Sequence, residues 1–145
     1  MRSKASLYIV GRGEEAENLQ KLARDLGVAE RVKFLGFVSD ADLLTLYANA
    51  LAVFYAPYDE DYGFVTIEAF KSRKPMLSTS DAGGVLEFIV DGENGYISAP
   101  GQLEQIAGYI DLFYNNRALC RRLGEAGYVK VRDVNWEYTI QKLLG

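Results

Sequence analysis

Histidine is absent from these 145 residues, and cysteine occurs once, at Cys120. Without histidine the chain lacks both the commonest metal ligand and the commonest general base, and with one cysteine it can close no internal disulfide and build no cysteine-based metal site. Zinc chemistry and a Ser-His-Asp triad are therefore excluded within this chain. Long apolar runs are missing too, since no stretch approaches the roughly 18 to 20 residues that a membrane span needs. The opening Met1-Arg2-Ser3-Lys4 leads straight into a short strand-like run and has no signal-peptide pattern, so a cytoplasmic location is expected. Positive charge is in deficit: 16 Lys and Arg stand against 20 Asp and Glu, for a net charge of −4. The basic residues cluster only at Arg117, Arg121 and Arg122, which read as a solvated helix face. Nucleic acid is not expected as a partner, because binding a phosphate backbone rests on clustered Lys and Arg.

What remains is an ordinary globular composition, 49% apolar, in a length that suits one domain with a sizeable core. Short β-rich runs alternate with helical periods, the pattern of βα units on a parallel sheet. Strands are expected at residues 6–10, 31–35, 51–55, 76–79 and 96–98. Leu19, Leu22, Ala23 and Leu26 mark one face of a first helix, which Gly27 stops. Ser39-x-x-Asp42 resembles a capping box that opens a second helix with Leu43, Leu46, Tyr47 and Ala50 on one face. Pro57 ends the third strand, and Lys74-Pro75 breaks the helix that runs through Phe64 to Phe70. A short helix is expected around residues 85–90, and helices over 102–114, 117–130 and 136–144. The expected fold is α/β, a doubly wound parallel sheet with a helical C-terminus and no internal repeat or linker.

In such a sheet ligands bind at the carboxyl ends of the strands, where loops 11–13, 57–63 and 80–84 should converge. The first, Gly11-Arg12-Gly13-x-x-Ala16, fits a loose dinucleotide fingerprint, but Gly36-Phe37-Val38 stands where the ribose-binding acid is required, so a tight turn is the simpler reading. The second holds the most informative residues. Glu68 interrupts the apolar run Phe64-Val65-Thr66-Ile67-Glu68-Ala69-Phe70, two turns into the helix and past the reach of ordinary capping, and Glu60 precedes it by eight positions. A carboxylate in a mostly buried helix costs several kcal/mol, by the rough scale for buried charge, unless something polar meets it. Gly63 lies between the two acids where loop becomes helix, so free N–H groups and the positive end of the helix dipole are expected beside both. Asp59 and Asp61 read as solvated loop acids, Glu87 as a polar-face residue, and Ser80 and Asp81 as either turn formers or ligand contacts. Trp136 and the seven phenylalanines read as core. No aspartate ends the third strand, where Tyr55-Ala56-Pro57 stands, and no G-x-x-x-x-G-K-[ST] occurs, so response-regulator and P-loop readings fail.

Taken as a set, Glu60-Asp61-Tyr62-Gly63-Phe64-Val65-Thr66-Ile67-Glu68-Ala69-Phe70, Lys74-Pro75, Gly83-Gly84-x-x-Glu87 and Asp91-Gly92-x-Asn94-Gly95 resemble the C-terminal, donor-binding domain of the group 1 retaining glycosyltransferases of the GT-B fold. Ile9-Val10-Gly11-x-Gly13 and Val32-x-Phe34-Leu35-Gly36 extend the resemblance over almost the whole chain. It implies that Glu68 accepts hydrogen bonds from the ribose of a nucleotide sugar and that Glu60 faces the donor sugar in an electrostatic and positioning role. It further implies that the N–H groups of Gly63, Phe64 and Val65 meet the diphosphate or sugar oxygens, that Val38 lies near the base, and that Gly11 belongs to the donor site. No metal or other cofactor is expected. The family's Arg and Lys diphosphate clamp, carried on a preceding strand and helix, has no counterpart here, nor has the N-terminal acceptor-binding domain. The resemblance thus implies an N-terminally truncated donor domain over residues 1–145, inactive alone, whose partners are a nucleotide sugar and the absent acceptor domain; membrane association of the longer protein is left open. The alternatives are a sugar-nucleotide epimerase domain, whose chemistry usually wants histidine, and a non-catalytic interaction module of the same fold.

Overall fold

The computed structural model describes residues 3–135 together with 137, 140, 141 and 144, so most of the helix expected over 136–144, with Trp136, lies outside the described residues. From the N-terminus, β1 (Leu7–Val10), α1 (Ala16–Asp25), β2 (Val32–Gly36), α2 (Asp40–Asn49), β3 (Val53–Phe54), α3 (Phe64–Lys71), β4 (Met76–Thr79), β5 (Gly95–Ser98), α4 (Leu103–Asn115) and α5 (Arg117–Val131) follow one another. Every ladder is parallel, as the alternation of strand and helix requires. The hydrogen bonding divides the strands into two groups, β1-β2 and β3-β4-β5.

Local chemistry accounts for most boundaries. Gly27 adopts a left-handed φ of 68° and its N–H returns to the Arg24 carbonyl at 2.9 Å, closing α1. Ser39 caps α2 by accepting from the Asp42 N–H at 3.2 Å, and its hydroxyl donates to the Asp42 carboxylate at 2.7 Å, so the acid faces the cap's hydroxyl. Past α3 the chain reverses through Arg73, whose φ of 55° is rare for a residue with a side chain. Its guanidinium lies 3.9 Å over the Tyr128 ring and pairs with Glu125 at 2.9 Å, contacts that help hold the turn. Two elements are shorter than expected: β3 has two residues instead of five, and the helix placed at 85–90 is a single 3-10 turn, Gly84–Glu87.

The core gathers around β4, buried at all four positions, with α3 and α5 packed beside it. Phe70, Met76, Val85 and Val131 form one cluster with Tyr47, and Leu77, Phe113, Cys120 and Leu123 a second. Gly127 lets α5 approach the Phe70 ring, which a β-carbon there would strike. Phe70 and Phe113 are core as expected, whereas Phe37, Phe54 and Phe64 are exposed. In α1 Ala23 is buried and the three leucines of its apolar face are open.

Candidate functional site

The site is built where β3 ends and α3 begins. Gly63 stands at the N-cap of α3 with φ 72° and ψ 56°, and a β-carbon there would lie 2.6 Å from Cγ2 of Val85. Glycine meets both the left-handed conformation and the close approach. No side chain among the described residues caps the helix. Among the described residues, the N–H groups of Gly63, Phe64 and Val65 donate to no protein acceptor, so the positive end of α3 is open to a ligand.

The two glutamates stand on either side of that helix start, each joined to a tyrosine. Tyr47, on α2 and 8% exposed, donates its hydroxyl to Glu68 Oε2 at 3.0 Å. Tyr55, just past β3, donates to Glu60 Oε2 at 3.1 Å. Burial, then the hydrogen bond to Glu68, raises the Tyr47 phenol far above its usual range; burial, then the hydrogen bond to Glu60, raises Tyr55 as well. Both phenols therefore remain donors at neutral pH, and each orients a carboxylate whose second oxygen is left for another group. The tyrosines escaped the sequence reading. Tyr47 was legible as a face residue of α2, but its pairing with a carboxylate 21 positions away is a tertiary contact.

Glu68 corrects an expectation about burial. It lies on the exposed side of α3, in line with Phe64, which is 60% exposed, and Lys71, while Thr66, Ile67, Ala69 and Phe70 are buried. Phe64, Glu68 and Lys71 share one stripe by the i, i+4, i+7 rule, and the packing that closes the rest of the helix leaves this stripe open. Burial therefore does not oblige a partner for Glu68; the carboxylate is presented outward, held by Tyr47. Glu60 is half-buried, Asp59 and Asp61 are exposed as expected, and Glu87 is exposed.

Two of the three expected loops meet. Glu60 bridges to Gly83 in parallel, and the Gly84 N–H donates to the Glu60 carbonyl at 2.6 Å. The Asp59 N–H donates to the Asp81 carbonyl at 2.9 Å. Side chains at Gly83 or Gly84 would collide with the backbone of residues 59–61, so the glycine pair is what lets the loops interlock. Asp81 thus serves through its carbonyl, and Ser80 through an N–H that donates to Ser98 at 2.9 Å. The Asp91-to-Gly95 turn is structural: Asn94, 2% exposed, accepts from the Val90 N–H and donates to the Phe88 carbonyl, and Asp91 accepts from the Ile97 N–H. Gly11 belongs to the β1-β2 pair, with φ 110° and its N–H on the Gly36 carbonyl at 2.8 Å. Among the described residues no hydrogen bond ties the Gly11 to Gly13 turn to the Glu60 loop.

Val38 is half-buried in an open hollow of about 350 Å³ between the end of β2 and α2, shared with Leu35, Phe37 and Leu46. Tyr62 stands edge-on to Phe64 and Phe88, with centroids 5.0 and 5.4 Å away, an aromatic group beside the helix start that spacing alone did not show. A second hollow, about 260 Å³, lies at the opposite, amino end of β3 and β4 and is lined by Arg73, Lys74, Arg117 and Arg121. Among the described residues no three of Asp, Glu, Cys and His are grouped to hold a metal ion, and no helix is long and apolar enough to cross a membrane.

Comparison with known proteins gives this geometry its context. Residues 1–130 match the family described as Glycosyl transferases group 1. The lipopolysaccharide core biosynthesis glycosyltransferase LpsE of Rhizobium meliloti (strain 1021) is 37% identical over 123 residues, which are 84% of this chain and 35% of that protein. Among solved structures, Anabaena Alr3699/HepE in complex with UDP superposes with a TM-score of 0.86 at 25% identity, over 97% of this chain and 40% of that one. The C-terminal domain of the group 1 glycosyl transferase family protein LpcC from Francisella tularensis superposes with a TM-score of 0.77 at 26% identity, over 89% of this chain and 69% of that domain. The chain spans a little over a third of the length of LpsE, and 38% of an uncharacterized glycosyltransferase of Haemophilus influenzae that it also matches. The expected α/β architecture on parallel strands is borne out.

Proposed function

The chain belongs to the group 1 glycosyl transferases, and from that premise we propose that it is the donor-binding part of a retaining enzyme that moves a sugar from a nucleoside diphosphate to an acceptor. One observation carries the reading: two tyrosine-held carboxylates, Glu60 and Glu68, flank an uncapped helix start with free N–H groups. Carboxylates suit sugar hydroxyls, and a helix N-terminus suits a diphosphate. In this reading Glu68 accepts from the ribose and Glu60 faces the sugar. The N–H groups of Gly63, Phe64 and Val65 receive the negative charge that gathers on the departing diphosphate as its bond to the anomeric carbon breaks. Val38 and its hollow take the base, and Gly11 closes the far side of the site. No metal is assigned a role, and Glu60 acts by charge and position.

The acceptor is assigned to a domain outside these residues, in keeping with the third or so of LpsE that the chain spans. On this reading the chain alone binds nucleotide weakly and transfers no sugar, and its place is the cytoplasm, where nucleotide sugars are made. Calorimetry with UDP, GDP, ADP and NAD tests it, with UDP first because HepE was crystallised with it. The expected result is binding of one nucleoside diphosphate, weakened about 10- to 100-fold by Glu68→Ala, the range for losing a charged hydrogen bond. Binding of NAD in preference to any nucleoside diphosphate, or sugar transfer by this chain alone, contradicts it.

A further inference from the structure

Arginine at the start of a helix is locally unfavourable, because the positive end of the helix dipole lies there. α5 nevertheless opens on Arg117 and carries no acid in its first turn. Arg121 follows one turn later on the same face, and like charges at i, i+4 repel. Among the described residues neither arginine pairs with a carboxylate. The sequence reads both, with Arg122, as a solvated helix face, but the structure separates them. Arg117 and Arg121 line the hollow of about 260 Å³ at the amino ends of β3 and β4, together with Arg73 and Lys74, whereas Arg122 does not.

No Asp or Glu lines that hollow, although acids outnumber bases in the chain by 20 to 16. Two of its four cations have structural roles: Arg73 pairs with Glu125, and Lys74 donates to the Ala48 carbonyl at 2.8 Å, meeting the negative end of α2. Among the described residues Arg117 and Arg121 make no comparable contact. Buried Cys120 lies in the wall between them. Burial pushes its thiol up, and the charges of Arg117, Lys74 and Arg121 act against that rise, so three cations reach one buried atom. Local rules broken without a compensating contact are expected where a residue answers to function instead of to the fold.

We propose that this hollow is a second anion site, which receives the phosphate of a phosphomonoester. Charge and shape select the ligand class. The two unpaired guanidinium forks match the oxygens of a carboxylate or of a phosphate. A carboxylate, however, brings one negative charge to four cations, and a phosphomonoester brings about 1.5 to 2 at pH 7. The volume falls below the roughly 300–1,000 Å³ of pockets for drug-sized ligands, so the hollow suits a phosphate group and not a whole nucleotide. Phosphomonoesters occur both as soluble molecules and as lipid headgroups, and the test separates the two.

The inference does not rest on the nucleotide reading, and no nucleotide enters its test. The isotope-labelled chain is titrated with glycerol 3-phosphate at constant ionic strength. It is also sedimented with phosphatidylcholine vesicles, with and without phosphatidic acid, which presents the same phosphomonoester on a membrane. Glycerol 3-phosphate is expected to give saturable shifts at the amides of Lys74, Arg117, Cys120 and Arg121 and to raise the urea midpoint. Arg117→Gln or Arg121→Gln should weaken this affinity about 10-fold, the scale of one charged hydrogen bond, and Arg122→Gln should leave it unchanged. Without ligand, the first two variants should unfold at the natural midpoint or above it, since each relieves the repulsion within α5. Binding to phosphatidic acid vesicles alone, with the same pattern among the variants, supports the proposal and assigns the phosphate to a lipid headgroup. No response to either probe overturns it, as does a response that sodium chloride reproduces or that Arg122→Gln weakens equally. A ligand-free midpoint lowered by both substitutions also overturns it, because the two arginines then serve the fold.

Discussion

At the scale of single residues, the site depends on positions where only one side chain, or none, will serve. Tyr47 is the clearest. Its buried hydroxyl holds Glu68, and Tyr47→Phe should cost about 1 kcal/mol of stability, the net worth of such a bond. It should also change the response to alkali. Below pH about 10, the ordinary phenol value, folded and unfolded chains both keep the proton, and the stability from this group is fully present. Above it the unfolded chain ionises while folded Tyr47 stays protonated, so stability falls as pH rises. Chemical denaturation between pH 8 and 11 should show a steeper fall for the natural chain than for Tyr47→Phe, and equal slopes would remove the raised phenol from the account. Gly63 offers a second test, because Gly63→Ala meets both a φ of 72° and the Val85 side chain, whereas Gly92→Ala meets a φ of 77° in open space. We expect about 1 kcal/mol of destabilisation at Gly92 and about 2–4 at Gly63, on the scale for left-handed strain with added overpacking. Thr66 runs the other way: its hydroxyl is fully buried and has no partner among the described residues, so Thr66→Val should be neutral or stabilising by up to about 1 kcal/mol in a urea titration.

At the scale of elements, the sequence reveals what local chemistry decides and conceals what packing decides. The Ser39 cap, the Gly27 stop and the apolar β4 are visible in the residues because each is fixed within one turn of chain. The brevity of β3 was not, since five apolar residues in a row say nothing about how many find a ladder partner. Nor was the outward aspect of Glu68: the run around it is apolar on nearly every face, and α5 and the core cluster choose which faces close. The joint between α3 and α5 is the most demanding contact of this kind. Gly127→Ala drives a β-carbon into the Phe70 ring and should destabilise by about 2–3 kcal/mol, as overpacking does. Combining it with Phe70→Leu should recover part of that loss, so that the two changes sum to less than their separate costs in denaturation experiments; strict additivity would show that the helices do not meet there.

At the scale of the whole molecule, the stable and functional parts share one end of the chain's architecture. The packed core lies under β4, α3 and α5, and the glutamate site stands at the carboxyl ends of β3 and β4, directly above it. The β1-β2 pair with α1 contributes little buried surface by comparison, and carries Gly11 and one residue of the Val38 hollow, Leu35. The carboxyl-end site and the cationic hollow at the amino ends of β3 and β4 are two places where an anionic ligand could be received, and they lie at opposite ends of the strands. Titration of the isotope-labelled chain with UDP, followed by NMR amide shifts, distinguishes them in one experiment. The account predicts the largest shifts at Gly63, Phe64 and Val65, with Val38 following, and their loss in Glu68→Ala. Shifts centred instead on Lys74, Arg117 and Arg121, with the amides of α3's first turn unmoved, would contradict it.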